Sequence, residues 1–317
     1  MNKTVRSSLI MFILPIFLLS GCGQPVTATP PLQQPTPTAS PITPTETPQP
    51  TATATSEPSP TPLPGNVVLP VDSLGKNIPW LPLDKTARPG VNFVGFNTQK
   101  APFNIALVRQ AFAYAIDREV ILGMAIKYHA TNPTHASTLT PPETLGRDLY
   151  GQIGIMFDPQ RAKDLLAQAG FSNPANFPRT IFIVNVSGDI APSARINMAN
   201  ALVDMWKTNL GVQVEVQAIP SFSDYTARLS SNPPDLFWMG WMADDNDPDN
   251  FLRQMFHSGT VDNFGKFSDS AFDRLVDMAK YSGDPAQRQI LYIQAERLLC
   301  ETQAALIPLF HIIYKSQ

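Results

Sequence analysis

Aromatic and acidic side chains crowd together between residues 235 and 249. Asp235-Leu-Phe-Trp-Met-Gly-Trp241 reads as a strand, and Asp244-Asp-Asn-Asp-Pro-Asp249 follows almost at once. A tryptophan offers a flat apolar wall, and a carboxylate takes a ligand ammonium in a charge-assisted hydrogen bond. Trp241, at the strand end, and Asp244, three residues on, are therefore the candidate ligand-binding residues. Trp238 lies inside the strand and reads as core, whereas Trp241 suits core and ligand wall equally. Asp247 and Pro248 have a separate task, as the cap and first residue of the next helix.

Other chemistry is scarce. His129, His135, His257 and His311 form no i, i+4 pair, and no HExxH, GxSxG, GxGxxG or GxxxxGK sequence occurs. His129 and His135 read as surface loop residues. The alternating acids at 245, 247 and 249 suggest a calcium loop. An EF-hand, however, needs a turn glycine after its third ligand and a glutamate at the twelfth position, and Pro248 and Asn250 meet neither need. Cys300 reads as a small buried hydrophobe on a helix, since the sequence around it gives no sign of the nearby histidine and electropositive setting that a reactive thiol wants. No enzyme, metal or cofactor is expected from these residues.

The elements that must position Trp241 and Asp244 alternate in period. Asn104 can cap a helix running from Ile105 through Leu122, with apolar residues at spacings of three and four. Asp158-Pro159 starts a second helix that stops at Gly170, and residues 129–157 between them read as loop. Residues 180–186 form a strand dense in β-branched side chains, 193–210 a helix, and 212–218 a strand. Ser221 with Asp224 starts a short helix in the manner of a capping box, and the strand at 235–241 follows. Further helices are expected at 247–256, 269–280 and 285–303, then a last strand at 305–314 in which Pro308 marks an edge or a bend. Two consecutive βαβ units imply an α/β body with a largely parallel sheet flanked by helices. Ligands of such sheets bind beyond the C-terminal ends of the strands, where Trp241 and Asp244 stand.

The 317 residues carry 23 Lys+Arg against 26 Asp+Glu, a formal net charge of −3 with no basic stripe, which argues against nucleic acid. Of 32 prolines, 13 fall within residues 23–65, beside 11 threonines. That stretch lacks the apolar surface to offset its ordering entropy and reads as an extended tether. Ahead of it, Lys3 and Arg6 precede an 11-residue apolar run from Leu9 to Leu19, too short to span a bilayer and typical of an export signal. Leu19-Ser20-Gly21-Cys22 resembles the lipobox of bacterial lipoproteins, which implies cleavage after residue 21 and lipid on Cys22. The expected division is a signal peptide at 1–21, a lipidated cysteine and tether at 22–65, and a folded domain at 66–317. The chain would then be anchored to the cell membrane by lipid and face outside the cytoplasm.

The landmarks of the folded part resemble the extracellular solute-binding proteins of family 5, the oligopeptide-, dipeptide- and nickel-binding proteins of ABC importers. They are Val91-Asn-Phe-Val-Gly-Phe-Asn97, Ala101 to Glu119, Asp158-Pro to Gly170, Gly240-Trp-Met-Ala-Asp244 with Asp247-Pro248, Asn263, Ala271-Phe-Asp273, Arg288, Leu291-Tyr292 and Ile307-Pro-Leu309. The resemblance covers residues 91–314 and implies one lobe of a two-lobed periplasmic-binding-protein-like (type II) clamp. It implies that Asp244 matches the acid that accepts a peptide's α-amino group, and that Trp241 lines the same cleft. It assigns Arg109, Asp117 and Arg118 mainly to helix capping and lobe architecture. Implied partners are a peptide or other small solute and the permease subunits of an ABC transporter, with nickel or sugar-like cargo left open. Most of the first lobe has no counterpart ahead of Val91. That leaves two functional expectations: the substrate-binding component of peptide uptake, or a non-catalytic structural or interaction lipoprotein. The latter would be a truncated or degenerate paralogue, or one half of a split binding protein whose first lobe is a separate chain.

Overall fold

Strand and helix alternate from Thr180 to Met242, and this alternation builds the parallel part of a six-stranded sheet. The computed structural model describes residues 76–77, 87–128, 132–188 and 190–315, all within the unit Pro64–Gln317. The expected signal peptide, Cys22, the Pro/Thr-rich stretch and His129 lie outside the described residues. The strands are β1 (Lys76–Asn77), β2 (Ala87–Phe96), β3 (Thr134–His135), β4 (Arg147–Asp148), β5 (Thr180–Asn185), β6 (Val214–Ile219), β7 (Leu236–Met242) and β8 (Leu306–Lys315). The helices are α1 (Ala106–Tyr114), α2 (Arg118–Lys127), α3 (Pro142–Leu145), α4 (Pro159–Gln168), α5 (Pro192–Leu210), α6 (Phe222–Ser231), α7 (Pro248–Phe256), α8 (Ser270–Tyr281) and α9 (Pro285–Arg297).

The large sheet has the order β3-β8-β2-β7-β5-β6. β5 runs parallel to β6 and to β7, as βαβ units require, but β2 pairs antiparallel with both β7 and β8. The α/β class stands, with the sheet mixed. The expectation of a largely parallel sheet holds for β5, β6 and β7 and fails beyond them, because β2 and β8 join through contacts distant in sequence. Side chains alternate across the sheet. Val94, Phe96, Phe182, Val184, Leu236 and Trp238 enter one core with α1, α2, α4 and α5. Val91, Phe93, Ile183, Phe237 and Met239 enter a second with α6 to α9. Helices on both faces explain why the central strands are apolar nearly throughout.

Several local expectations change. Residues 105–122 form two helices rather than one, and the N-cap of α1 is Ile105, with no side-chain cap bond. The chain breaks before α2 because Asp117 takes the cap position and accepts the Glu119 N–H at 3.0 Å. Residues 129–157 are not loop alone, since they contain β3, α3 and β4. Pro308 lies on a strand flanked by β3 and β2, at a shift of register where Asn92 faces Phe310 and Phe93 faces Pro308. β3 itself pairs with β8 only at Phe310 and His311. Asp158 caps α4 by accepting the Arg161 N–H at 2.9 Å, Ser221 caps α6, and Asp247 caps α7, each as the sequence predicts.

A strap of chain from β3 to β4 is fastened by buried side chains. Glu296, wholly buried, accepts the N–H groups of Leu139 (2.9 Å) and Thr140 (2.8 Å). His311, also buried, has Nε2 3.0 Å from the Thr138 carbonyl oxygen, so the neutral ring donates there. Burial pushes the His311 pKa down from its ordinary 6.5 to about 4. An unfolded chain therefore takes up a proton that the folded one refuses. The contribution of His311 is fully present above about pH 6.5 and is lost as pH falls through about 4, at roughly 1.4 kcal/mol per pH unit. Burial raises the Glu296 carboxyl, which acts in the opposite sense. The stability difference between wild type and His311→Gln isolates the histidine. It is expected to shrink from pH 7 to pH 4 in urea titrations, and a difference independent of pH would contradict this account.

Candidate functional site

β7 has one side paired along its whole length and the other only in part. Ala243 N–H donates to Pro89 O at 2.9 Å and Asn97 N–H to Asp235 O at 3.0 Å, so the odd-numbered residues of β7 direct their backbone groups toward β2. The even-numbered residues face β5. β5, however, pairs with β7 only from Leu236 to Trp238. Gly240 and Met242 therefore present N–H and C=O groups along an edge that no described strand covers. Both residues are exposed. Gly240 leaves this edge without a side chain, and Ala243 begins a turn that carries Asp244 and Asp245 into solvent before Asp247 opens α7.

Trp238 is core, as its place within the strand predicts. It is 2% exposed, and its Nε1 donates to Asn92 Oδ1 at 3.0 Å. Trp241 is half-buried against the second core, and its Nε1 donates to Asn250 Oδ1 at 3.0 Å. The indole is thereby fixed on α7 while part of it stays open. Asp244 is 77% exposed and lies 3.7 Å from Arg88 Nη1, itself exposed. Such a surface pair contributes little to stability. The structure therefore brings Trp241 and Asp244 to the same strand end but gives them separate partners. Arg88, Asn250 and the free edge at Gly240 and Met242 escape the sequence reading. A glycine at a strand end, where a ligand's backbone can approach closely, is the one local signal that could have pointed to the edge.

Behind the turn, Asp247 Oδ1 accepts from Arg288 Nη2 at 2.8 Å, and Arg288 also donates to the Tyr292 hydroxyl at 3.0 Å. Burial acts to lower the Arg288 pKa, but the Asp247 carboxylate outweighs it and holds the guanidinium above its ordinary value. Burial raises the Asp249 carboxyl beside them. A groove of about 430 Å³ opens here, lined by Thr144, Asn246, Asp247, Arg288, Gln289 and Tyr292 among others. Neither Asp244 nor Trp241 lines it. Among the described residues no group of three or more His, Cys, Asp or Glu could hold a metal ion.

This α/β lobe has counterparts among known proteins. Residues 62–263 match the model of bacterial extracellular solute-binding proteins, family 5 Middle. The chain belongs to this family. Its relatives include the periplasmic oligopeptide-binding protein OppA of Salmonella typhimurium, 32% identical over 221 residues, which cover 68% of this chain and 38% of that protein. Heme-binding protein A of Haemophilus influenzae is 31% identical over 225 residues, covering 70% and 39%. Among solved structures, the Escherichia coli murein tripeptide binding protein MppA superposes with a TM-score of 0.61 at 27% identity, covering 72% of this chain and 44% of that one. The chain thus spans about two-fifths of the length of the curated relatives it matches.

The family 5 landmarks do architectural work. Buried Arg109 donates to the carbonyls of Phe103 and Gln303, and buried Arg118 to those of Pro308 and Ile155. Burial lowers both guanidinium groups to about 10, so they stay charged at neutral pH. Asn263 bonds the Phe267 backbone in both directions. Cys300 is buried, with Sγ 3.3 Å from Glu296 Oε2, and burial raises its thiol, in keeping with an inert side chain.

Proposed function

We propose that this chain is the solute-binding component of an ABC importer for short peptides, held outside the cytoplasm by lipid on Cys22. The observation that carries the reading is the uncovered edge of β7 ending at Asp244. An extended peptide laid antiparallel along it meets the N–H and C=O groups of Gly240 and Met242, the usual way a strand edge captures a peptide. Its α-ammonium then arrives at the Asp244 carboxylate, and Trp241 walls the same end. The oligopeptide- and tripeptide-binding names of two relatives support this choice of solute, while another relative is named for binding heme. The role is binding, without a catalytic step. Permease subunits would be the partners that receive the solute.

Calorimetric titration of the full chain with a pool of short peptides tests the reading. Saturable heat supports it, and no heat at any peptide concentration contradicts it. A second reading, a lipoprotein that offers this lobe to another chain, draws on the same open edge and on the exposure of Asp244. Binding that appears only when a companion lobe is added would favour that arrangement.

The anchor rests on Leu19-Ser20-Gly21-Cys22. No helix among the described residues is long and apolar enough to cross a membrane. Cys22→Ser is expected to leave the precursor uncleaved and unlabelled by a fatty-acid probe in cells. Undiminished labelling of that variant would rule the anchor out.

A further inference from the structure

Resting on the peptide-binding reading, we propose that Thr144 is a positioning residue for the turn that carries Asp244, acting through Asn246. Residues 244–246 join the end of β7 to the cap of α7. On one side Ala243 is bonded to Pro89 at 2.9 Å. On the other, Asp247 accepts the Asp249 N–H and the Arg288 guanidinium, both at 2.8 Å. Between these anchors Asp244 and Asp245 are exposed. Apart from the long Arg88 contact, the turn has one further tie among the described residues, in which Thr144 Oγ1 donates to Asn246 Oδ1 at 2.6 Å. Asn246 Nδ2 is buried with no hydrogen-bond partner, so the amide is fixed by its oxygen alone.

Thr144 can serve this purpose because it is itself held firmly. It is 2% exposed on α3. Two side chains of α9 hold the chain around it: Glu296 takes the N–H groups of Leu139 and Thr140, and Gln289 donates to the Leu145 carbonyl at 2.9 Å. The hydroxyl is therefore aimed from a platform whose supports lie in the second core, not in the turn. Asp244 inherits its position from that platform through Asn246. A carboxylate so placed needs less ordering when a ligand ammonium arrives, which is the general benefit of preorganisation.

The test uses the full chain and two readouts. Backbone ¹⁵N order parameters at residues 244–246 are expected to be near 0.85 in wild type and to fall below about 0.6 in Thr144→Val. Affinity for trialanine should weaken about fivefold in the same variant, the size expected for losing one neutral hydrogen bond. Thr144→Ser keeps the hydroxyl and should restore both readouts, which a purely space-filling role would not predict. Asn246→Ala breaks the same bond from the other side and should loosen the same residues if Thr144→Val fails to fold. Unchanged order parameters in a folded variant lacking the bond, or no rescue by serine, would overturn the proposal. If the wild-type chain binds no peptide, the order parameters still decide the positioning role, and the peptide reading fails separately.

Discussion

Trp238→Ala is expected to cost about 3–5 kcal/mol of folding free energy, the range for deleting a large aromatic side chain from a packed core. The indole is 2% exposed and packs edge-on against Phe310 at 6.5 Å between centroids. Arg195 lies over its ring at 5.5 Å. Removing the ring opens a cavity on the face shared with α1 and α5, and it also takes away the donor that satisfies Asn92 Oδ1. Trp241→Ala, by contrast, removes a half-buried ring at the strand end and should cost less than half as much. Urea unfolding at 25 °C separates the two, provided the slope with denaturant is unchanged. Equal losses would mean that the two tryptophans have not been told apart correctly, and a loss below about 1 kcal/mol for Trp238→Ala would remove it from the core.

Asp244→Ala should behave in the opposite way, sparing the fold and damaging binding. The carboxylate is largely exposed and its contact with Arg88 is long, so folding stability should change by less than about 0.5 kcal/mol. The cap of α7 is unaffected, because it belongs to Asp247. Once a peptide lies on the β7 edge, however, its α-ammonium and Asp244 are shielded from water together. Truncating one member of such a pair costs roughly 2–4 kcal/mol of affinity. Shielding is greater if a second wall closes over the edge, so the loss should grow when a companion lobe is present.

Which features could be read from the sequence follows from how local their causes are. β5, β6 and β7 are legible because β-branched and aromatic runs sit between helices, and Asp158, Ser221 and Asp247 announce α4, α6 and α7 by residue type. β2 is not legible. Its ten residues include Pro89, Gly90, Asn92 and Gly95, all poor strand formers. Yet the glycine at 95 is what the packing needs, since a Cβ there would lie 2.2 Å from the Phe237 ring. That requirement comes from Phe237, 142 residues further along the chain, and leaves no local mark. The break between α1 and α2 is hidden for the opposite reason: Asp117 interrupts an apolar periodicity that carries on past it.

The site divides along the same line. Trp241 and Asp244 can be picked out by residue type and by their place after a strand. The mixed sheet that leaves Gly240 and Met242 uncovered depends on strand order, which alternating βαβ patterns do not encode beyond β5, β6 and β7. Arg88 comes to lie near Asp244 only through the register that sets Gly90 opposite Met242. Thr144 reaches Asn246 only because the strap is fastened to α9. Each of these contacts joins residues far apart in the chain.

The most direct measurement of the central claim is a pair of calorimetric titrations, free trialanine and N-acetyl-trialanine, into the wild-type full chain and into Asp244→Ala. Acetylation removes the positive charge of the peptide and leaves its backbone able to pair with Gly240 and Met242. The account predicts that wild type binds the free peptide at least tenfold more tightly than the acetylated one, and that Asp244→Ala binds the two alike. Wild-type protein that binds neither peptide, or an Asp244→Ala variant that keeps the full preference for a free amino group, would contradict it.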